Sequence, residues 1–392
     1  MKVSVLCFDV SGNAAGRADL LAKLLEPLGS VEVLGPRSLP GVWKPVASGP
    51  IRYTSVATRR MPGFVATMAD LARRADGDLI YASKTRLGSA GVGYLKRAAG
   101  KRPLLLDIDD WELGFYIRSG FWGTVGRALN LGNPDGLPWT WLCERFTGLA
   151  DGVTVASRFL QERFGGTLIP HVRDTDAWKP GRADAAEGRR RLRVDGKRVV
   201  MFLGTPRDYK GLDDLAAAVA SLGRADVALA VVGASADSAA GRQILGRCPA
   251  ATLLPWVPFD EIPTLLSAAD VVAVPQRKTS DTVGQVPAKI FDAMALGRPV
   301  VSTRVSMVPE ILDGCGLLVE PGDVSGLAAA IARLLDRPAE AEALGARARE
   351  RCVERYSFQS ARRDLFPLIE RVMARPKAHP KAAPKGPPKA HP

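Results

Sequence analysis

Short apolar runs recur along the chain and alternate with segments whose apolar residues return every three or four positions. In the first half the runs are "KVSVLCFDV", "VEVLG", "DLIYAS", "PLLLDI" and "GVTVAS", which read as strands buried on both faces. Between them, "AAGRADLLAKLLEPLG" and "FVATMADLARRA" carry the helical period. A second series follows the polar, Arg-rich stretch at 179–197. Its strands are "RVVMFLG", "VALAVVG", "ATLLPW", "VVAVP", "PVVST" and "GLLVE", with helices such as "GLDDLAAAVASL", "DEIPTLLSAA" and "VSGLAAAIARLL". This alternation predicts parallel sheets with crossover helices. The expected architecture is α/β: two doubly wound, Rossmann-like domains facing a central cleft. The divisions read as a first domain over 1–170, a linker over 171–197, a second domain over 198–356, a helix over 357–374 and a tail over 375–392. Ligands of such sheets bind beyond the carboxyl ends of the strands, so the loops that follow strands hold the chemistry.

Two segments break the pattern. Residues 111–141, rich in Trp, Phe, Gly and Pro, are expected to form an insertion at the mouth of the cleft. The tail "RPKAHPKAAPKGPPKAHP" has no apolar face to bury and is expected to be an extended, disordered basic segment. It reads either as a solubilising tail or as one attracted to anionic membrane or nucleic acid.

Composition narrows the function. With 46% hydrophobic and 24% charged residues, the 392-residue chain reads as globular. No apolar run approaches the ~18 residues of a membrane span, and "VSVLCF" is too short for a signal-peptide core. The five cysteines are scattered and never form C-x-x-C, which fits a reducing cytoplasm and no zinc site. His171 is the sole histidine outside the tail, so a multi-histidine metal centre is excluded. A formal charge of +13 favours anionic partners.

Candidate chemistry sits in four loops. "GTPRDYKG" places Arg207 and Lys210 after Gly204 and just before a helix, a ready anion site. In "GQVPAKIFDAMALG", Pro287 suits the first helical position, leaving Val286 as an N-cap that cannot accept a hydrogen bond. Lys289 then adds positive charge where the helix dipole is already positive, which an anion would explain. Asp292, three residues on, shares its face and is a candidate acceptor for sugar hydroxyls. "SGNAAGRADLL" offers Gly12 and Gly16 near a helix start without a full dinucleotide pattern. "LLLDIDDWELG" ends a strand with Asp107, Asp109 and Asp110, carboxylates expected to face the cleft and orient an acceptor hydroxyl or take its proton. His171 reads as a hinge residue.

Together, "FLGTPRDYKGLDDL", "LPWVPFDEIPTLLSAADVVAVPQ", "AKIFDAMALGRPVVSTRVSMVPEILDGCGLLVEPGD" and "YSFQSARRDL" resemble the nucleotide-sugar half of retaining GT-B glycosyltransferases, glycosyltransferase family 4. The resemblance covers about residues 145–373 and is loose before 140. It implies transfer of a sugar from a nucleotide-diphosphate donor to a glycan or lipid-linked acceptor, with retention. It also implies no metal or other cofactor, since cations and helix N-termini hold the diphosphate. Arg207 and Lys210 match the diphosphate-holding pair, and Asp292 matches the ribose-binding acid, shortened from Glu. Trp256 and Val257 would lie against the nucleobase, Gly16 would approach the phosphates, and Met307, Val308 and Glu310 would lie near the nucleotide. Gly284 stands where the family's first glutamate reads the donor sugar, and the Pro287-x-Lys289 form resembles a subset that brings lysine into the site. A nucleotide-sugar epimerase or phosphorylase of the same fold, or a non-catalytic nucleotide-sugar binder, are the alternatives. The expected location is cytoplasmic, with peripheral contact at the inner membrane face through segment 111–141 and the basic surplus. Nucleic acid is an unfavoured partner, for no aromatic-basic face accompanies the tail.

Overall fold

The computed structural model describes residues 1–100, 102–117, 126–127, 129–280 and 282–374. The basic tail and residues 118–125 and 128 of the expected insertion lie outside them. Thirteen strands form two wholly parallel sheets among the described residues. The first contains β1 (Lys2–Cys7), β2 (Ser30–Arg37), β3 (Arg52–Ala57), β4 (Leu79–Ser83), β5 (Leu104–Ile108), β6 (Gly152–Val155) and β7 (Thr167–Leu168), in the order β3-β2-β1-β4-β5-β6-β7. The second contains β8 (Arg198–Leu203), β9 (Val227–Val232), β10 (Thr252–Leu254), β11 (Val271–Val274), β12 (Val300–Thr303) and β13 (Leu317–Val319), in the order β10-β9-β8-β11-β12-β13. Every residue of β4, β5 and β9 is buried, as helices on both faces require. Strand order reverses beside β1 in one sheet and beside β8 in the other. Their carboxyl ends therefore open the two crevices where ligands of doubly wound sheets bind.

The expected strands all form, and the structure adds β3 and β7. β3, "RYTSVA", is an edge strand with exposed and half-buried residues, so it lacks an apolar run. β7 is only two residues long. Among the described residues no helix is long and apolar enough to cross a membrane.

Two polar devices join the domains. The linker residue Arg173 donates its N–H to the Tyr356 carbonyl and accepts from the Phe358 N–H, both at 2.9 Å. The helix Phe358–Ala374 then returns to the first domain, where Arg362 donates to the Lys23 and Leu24 carbonyls at 3.0 Å. Within the first domain, Arg17 grips Asp107 with two hydrogen bonds of 2.8 and 2.9 Å and spends its other donors on the Ile169 and Pro170 carbonyls. Asp107 is therefore a fully buried core residue, not one of the cleft carboxylates expected from "LLLDIDD". It also accepts from Thr154 at 2.8 Å, so its side chain points into the sheet's interior layer.

Removing one member of a buried pair leaves the other charge without compensation. Asp107→Ala is expected to destabilise the first domain by about 3–5 kcal/mol. Urea denaturation followed by circular dichroism reads this, and a loss below about 1 kcal/mol would mean that water already reaches the pair.

Candidate functional site

β8 runs into Gly204, whose φ of +134° admits no ordinary side chain. A Cβ at that position would point at the Lys210 Nζ, 3.6 Å away, and the Lys289 Cε, 3.9 Å away. Two lysines from different loops thus meet over one bare backbone position. Lys210 ends a single turn, Asp208–Lys210, and donates to the Thr205 carbonyl at 3.0 Å. Burial first, then Lys289 and Arg207, push its ammonium down to about 8, with Asp110 pulling the other way. Arg207 stands exposed at the start of the same turn. Gly211 closes the loop in the left-handed region at φ +66°, against the Pro275 carbonyl at the end of β11.

Lys289 belongs to the helix Ala288–Ala295. Pro287, with a non-helical ψ of 114°, is the N-cap, so the helix starts one residue later than expected and Val286 is buried beneath it. No side chain caps this helix. The helices Ala239–Arg247 and Val324–Asp336 carry side-chain caps from Ser238 and Asp323, whereas Ala15–Leu25, Phe64–Arg74 and Leu212–Ser221 also lack one. Asp292, one turn on, is fully buried; Lys289 Nζ lies 3.3 Å from Oδ2, and the linker guanidinium of Arg173 bonds Oδ1. Burial would raise this carboxyl, but Arg173 and then Lys289 hold it below its ordinary value. Burial also pushes His171 well below its ordinary value, helped by Arg17, Arg173, Lys84 and Lys289, so its imidazole stays neutral.

The first domain supplies the opposite wall. Lys84, just beyond β4, has a left-handed φ of +74°, a strained conformation for a non-glycine residue. Its buried ammonium lies 2.7 Å from Asp109, 2.6 Å from Asp110 and 3.1 Å from Glu112. These carboxylates lie close enough to share one cation, and the cation they share is Lys84. Burial alone would lower Lys84, yet Asp109, Asp110 and Glu112 carry it well above its ordinary value. Burial, with Asp110 and Asp107, pushes Asp109 up to about 7 against the pull of Lys84. Asp110 also accepts from Gln285 of the second domain at 3.0 Å, which ties this wall to the loop before Lys289.

The apolar end of the cleft is a cavity of about 20 Å³ lined by Trp43, Trp256, Val257 and Phe259 together with Gly204 and Lys289. The structure thus brings Gly204, Arg207, Lys210, Trp256, Val257 and Lys289 into one region, with Asp109 and Asp110 opposite, whereas Asp292 lies fully buried behind Lys289, taken by Arg173 and Lys289 rather than offered to sugar hydroxyls. Gly16 faces Trp43: a Cβ there would lie 3.2 Å from the indole. Glu310 makes an exposed ion pair with Arg158 of the first domain at 3.0 Å, beside Met307, whose sulfur accepts from the Arg158 N–H. Gly284 has a packing role, since a Cβ would come within 2.8 Å of the Phe159 ring, and its carbonyl accepts from Ser157 at 2.8 Å.

Sequence reasoning missed Lys84, Gln285, Trp43 and the side chain of Arg173. Lys84 follows an apolar strand directly, so the strand-end rule would have found it. Trp43 carries no local signal, because a loop remote in sequence brings it to the cleft.

The family described as Glycosyl transferases group 1 matches residues 197–337, most of the second domain. A GDP-mannose-dependent alpha-(1-6)-phosphatidylinositol monomannoside mannosyltransferase of Mycolicibacterium smegmatis is 30% identical over 287 residues, 69% of this chain and 70% of that enzyme. An MMP alpha-(1->4)-mannosyltransferase of Mycolicibacterium hassiacum is 37% identical, but over only 30% of this chain and 28% of that enzyme's length. Among solved structures, HepE of Anabaena in complex with UDP-glucose superposes with a TM-score of 0.74 at 20% identity, over 95% of this chain and 100% of that one. Sucrose-phosphate synthase of Thermosynechococcus elongatus gives 0.71, also at 20% identity, over 95% and 99%. Two parallel-sheet domains, the second matched by a family description and 69% of the chain aligned with a curated relative, place the chain in the glycosyl transferases group 1 family, on the GT-B fold.

Proposed function

We propose that the chain transfers a glycosyl group from a nucleoside-diphosphate sugar to a hydroxyl of a glycan or lipid-linked acceptor, with retention and without a metal. The observation that carries this reading is the meeting of Lys210 and Lys289 over Gly204, with Arg207 alongside, at an uncapped helix start. Fixed cations and free N–H groups are already aimed where the diphosphate gains charge as the glycosidic C–O bond breaks. The acceptor oxygen forms the new bond on the same face, and its proton passes to the departing phosphate oxygen. Asp109 and Asp110, held by Lys84, orient the acceptor hydroxyl from the opposite wall. The Mycolicibacterium smegmatis relative is a phosphatidylinositol monomannoside mannosyltransferase, which supports the lipid-linked class.

A lipid-linked acceptor fits the surface of the first domain. Leu129, Leu131, Trp141, Phe146 and Leu149 are exposed there, beside the exposed Arg127 and Arg145. Apolar side chains among cations suit an anionic bilayer surface, in keeping with a cytoplasmic, peripheral protein.

Three outcomes check this reading. Arg207→Ala and Lys210→Ala should each lower turnover of a nucleotide sugar by about 10²-fold or more, and unchanged turnover in both would refute the phosphate assignment. Binding a diphosphate raises Lys210 from about 8, so complex formation takes up a proton above that pH and affinity falls as pH rises through it. Calorimetry at pH 8.5 in buffers of different ionisation enthalpy reads the uptake, which Lys210→Met should abolish; equal heats in the wild type would contradict it. Finally, the chain should sediment with phosphatidylglycerol vesicles but not with phosphatidylcholine vesicles, and Trp141→Glu should weaken that. Identical sedimentation of the variant would remove this surface from the account.

A further inference from the structure

The aromatic end of the cleft has a component that the donor reading does not use. Trp43 comes from the first domain and Trp256 from the second, and their rings meet edge to face, 5.8 Å apart at 70°. We propose that Trp43 is a nucleobase-binding residue that takes the donor's base together with Trp256, so that the base is held from both domains. This rests on the donor reading above and adds the base-binding partner from the first domain.

Three observations carry it. First, the cavity that Trp43 and Trp256 line is also lined by Gly204 and Lys289. Apolar rings at one end and cations at the other match the polarity of a nucleoside diphosphate. Anchoring the phosphates on the cations fixes how far the base extends toward the rings.

Second, the closed cavity of about 20 Å³ is far below the ~300 Å³ or more of a ligand pocket. The rings must part to admit a ligand, and each rides on its own domain. The edge-to-face pair offers the flat surface of one indole and the edge of the other, and a base stacks on such a surface whatever its identity. Trp256 is already 45% exposed.

Third, Trp43 is seated rather than loosely placed. Its N–H donates to the Val10 carbonyl at 2.9 Å, in the loop after β1. Gly16 gives the indole its floor, with any Cβ there falling 3.2 Å from the ring. Pro45 lines the same cavity from the turn that follows.

The test is calorimetric titration of the full chain with UDP, GDP and inorganic pyrophosphate, for the wild type, Trp43→Ala and Trp43→Phe. The wild type should bind at least one nucleoside diphosphate more tightly than pyrophosphate. Trp43→Ala should weaken that nucleotide about tenfold and leave pyrophosphate within about twofold, while Trp43→Phe keeps most of the preference. The proposal is overturned if Trp43→Ala leaves the nucleotide-to-pyrophosphate ratio unchanged. It is overturned equally if that variant binds nucleotide more tightly, which makes the ring an obstacle, or loses both ligands together, which makes it structural. A wild type that binds pyrophosphate without preferring either nucleotide also overturns it and leaves the cation site standing. A wild type that binds none of the three fails the donor reading itself.

Discussion

Two lysines from different loops are held together over the bare backbone of Gly204. Burial, then Lys289 and Arg207, lower Lys210, while Asp292 pairs Lys289 from within its own helix. The arrangement follows from topology. Lys210 lies in the loop after β8, beside the point where strand order reverses, and Lys289 opens the helix that leads into β12. Gly204 and Gly211 let the intervening backbone bend tightly enough for the loops to meet. The helix start adds uncapped N–H groups of the same sign. An anion relieves all of these at once, and a side-chain cap or a carboxylate in the first turn would have filled the place it needs.

The opposite wall is built on the inverse principle. Lys84 is surrounded by Asp109, Asp110 and Glu112, with Arg86 also pairing Glu112, and is kept in a strained backbone conformation. Among the described residues the polar contacts between the two walls include Gln285 to Asp110, Ser157 to the Gly284 carbonyl, and Arg158 to both Glu310 and the Met307 sulfur. Such polar joins permit relative domain motion. The stiffer element is the junction around Arg173, whose backbone pairs with the 356–358 segment while its side chain reaches Asp292.

Much of this was legible in the sequence because the signals were local. Apolar runs marked eleven of the thirteen strands, and the absence of a side-chain cap was foreseen, with Val286 read as the N-cap. The edge strand β3 escaped because its residues are polar and half-exposed, and β7 because two residues carry no period. The cap itself was misplaced by one position, since the proline φ suits both the cap and the first helical residue. Asp107 was grouped with Asp109 and Asp110 because strand-end spacing does not reveal that Arg17, ninety positions earlier, takes it into the core. The same limit applies to Arg173 and Trp43, whose partners are brought to them by tertiary packing alone. Gly284 looked like a lost glutamate, and only the Phe159 ring beside it gives the glycine its reason.

The central claim is that Arg207, Lys210 and Lys289 form a cradle for a diphosphate that works without a metal ion. Phosphorus-31 NMR of a nucleoside diphosphate, with the full chain in excess EDTA, tests it most directly. The account predicts that both phosphorus resonances shift and broaden on adding protein, and that Lys289→Met weakens the effect. Resonances unmoved at millimolar protein, or moved only after magnesium is supplied, would contradict it.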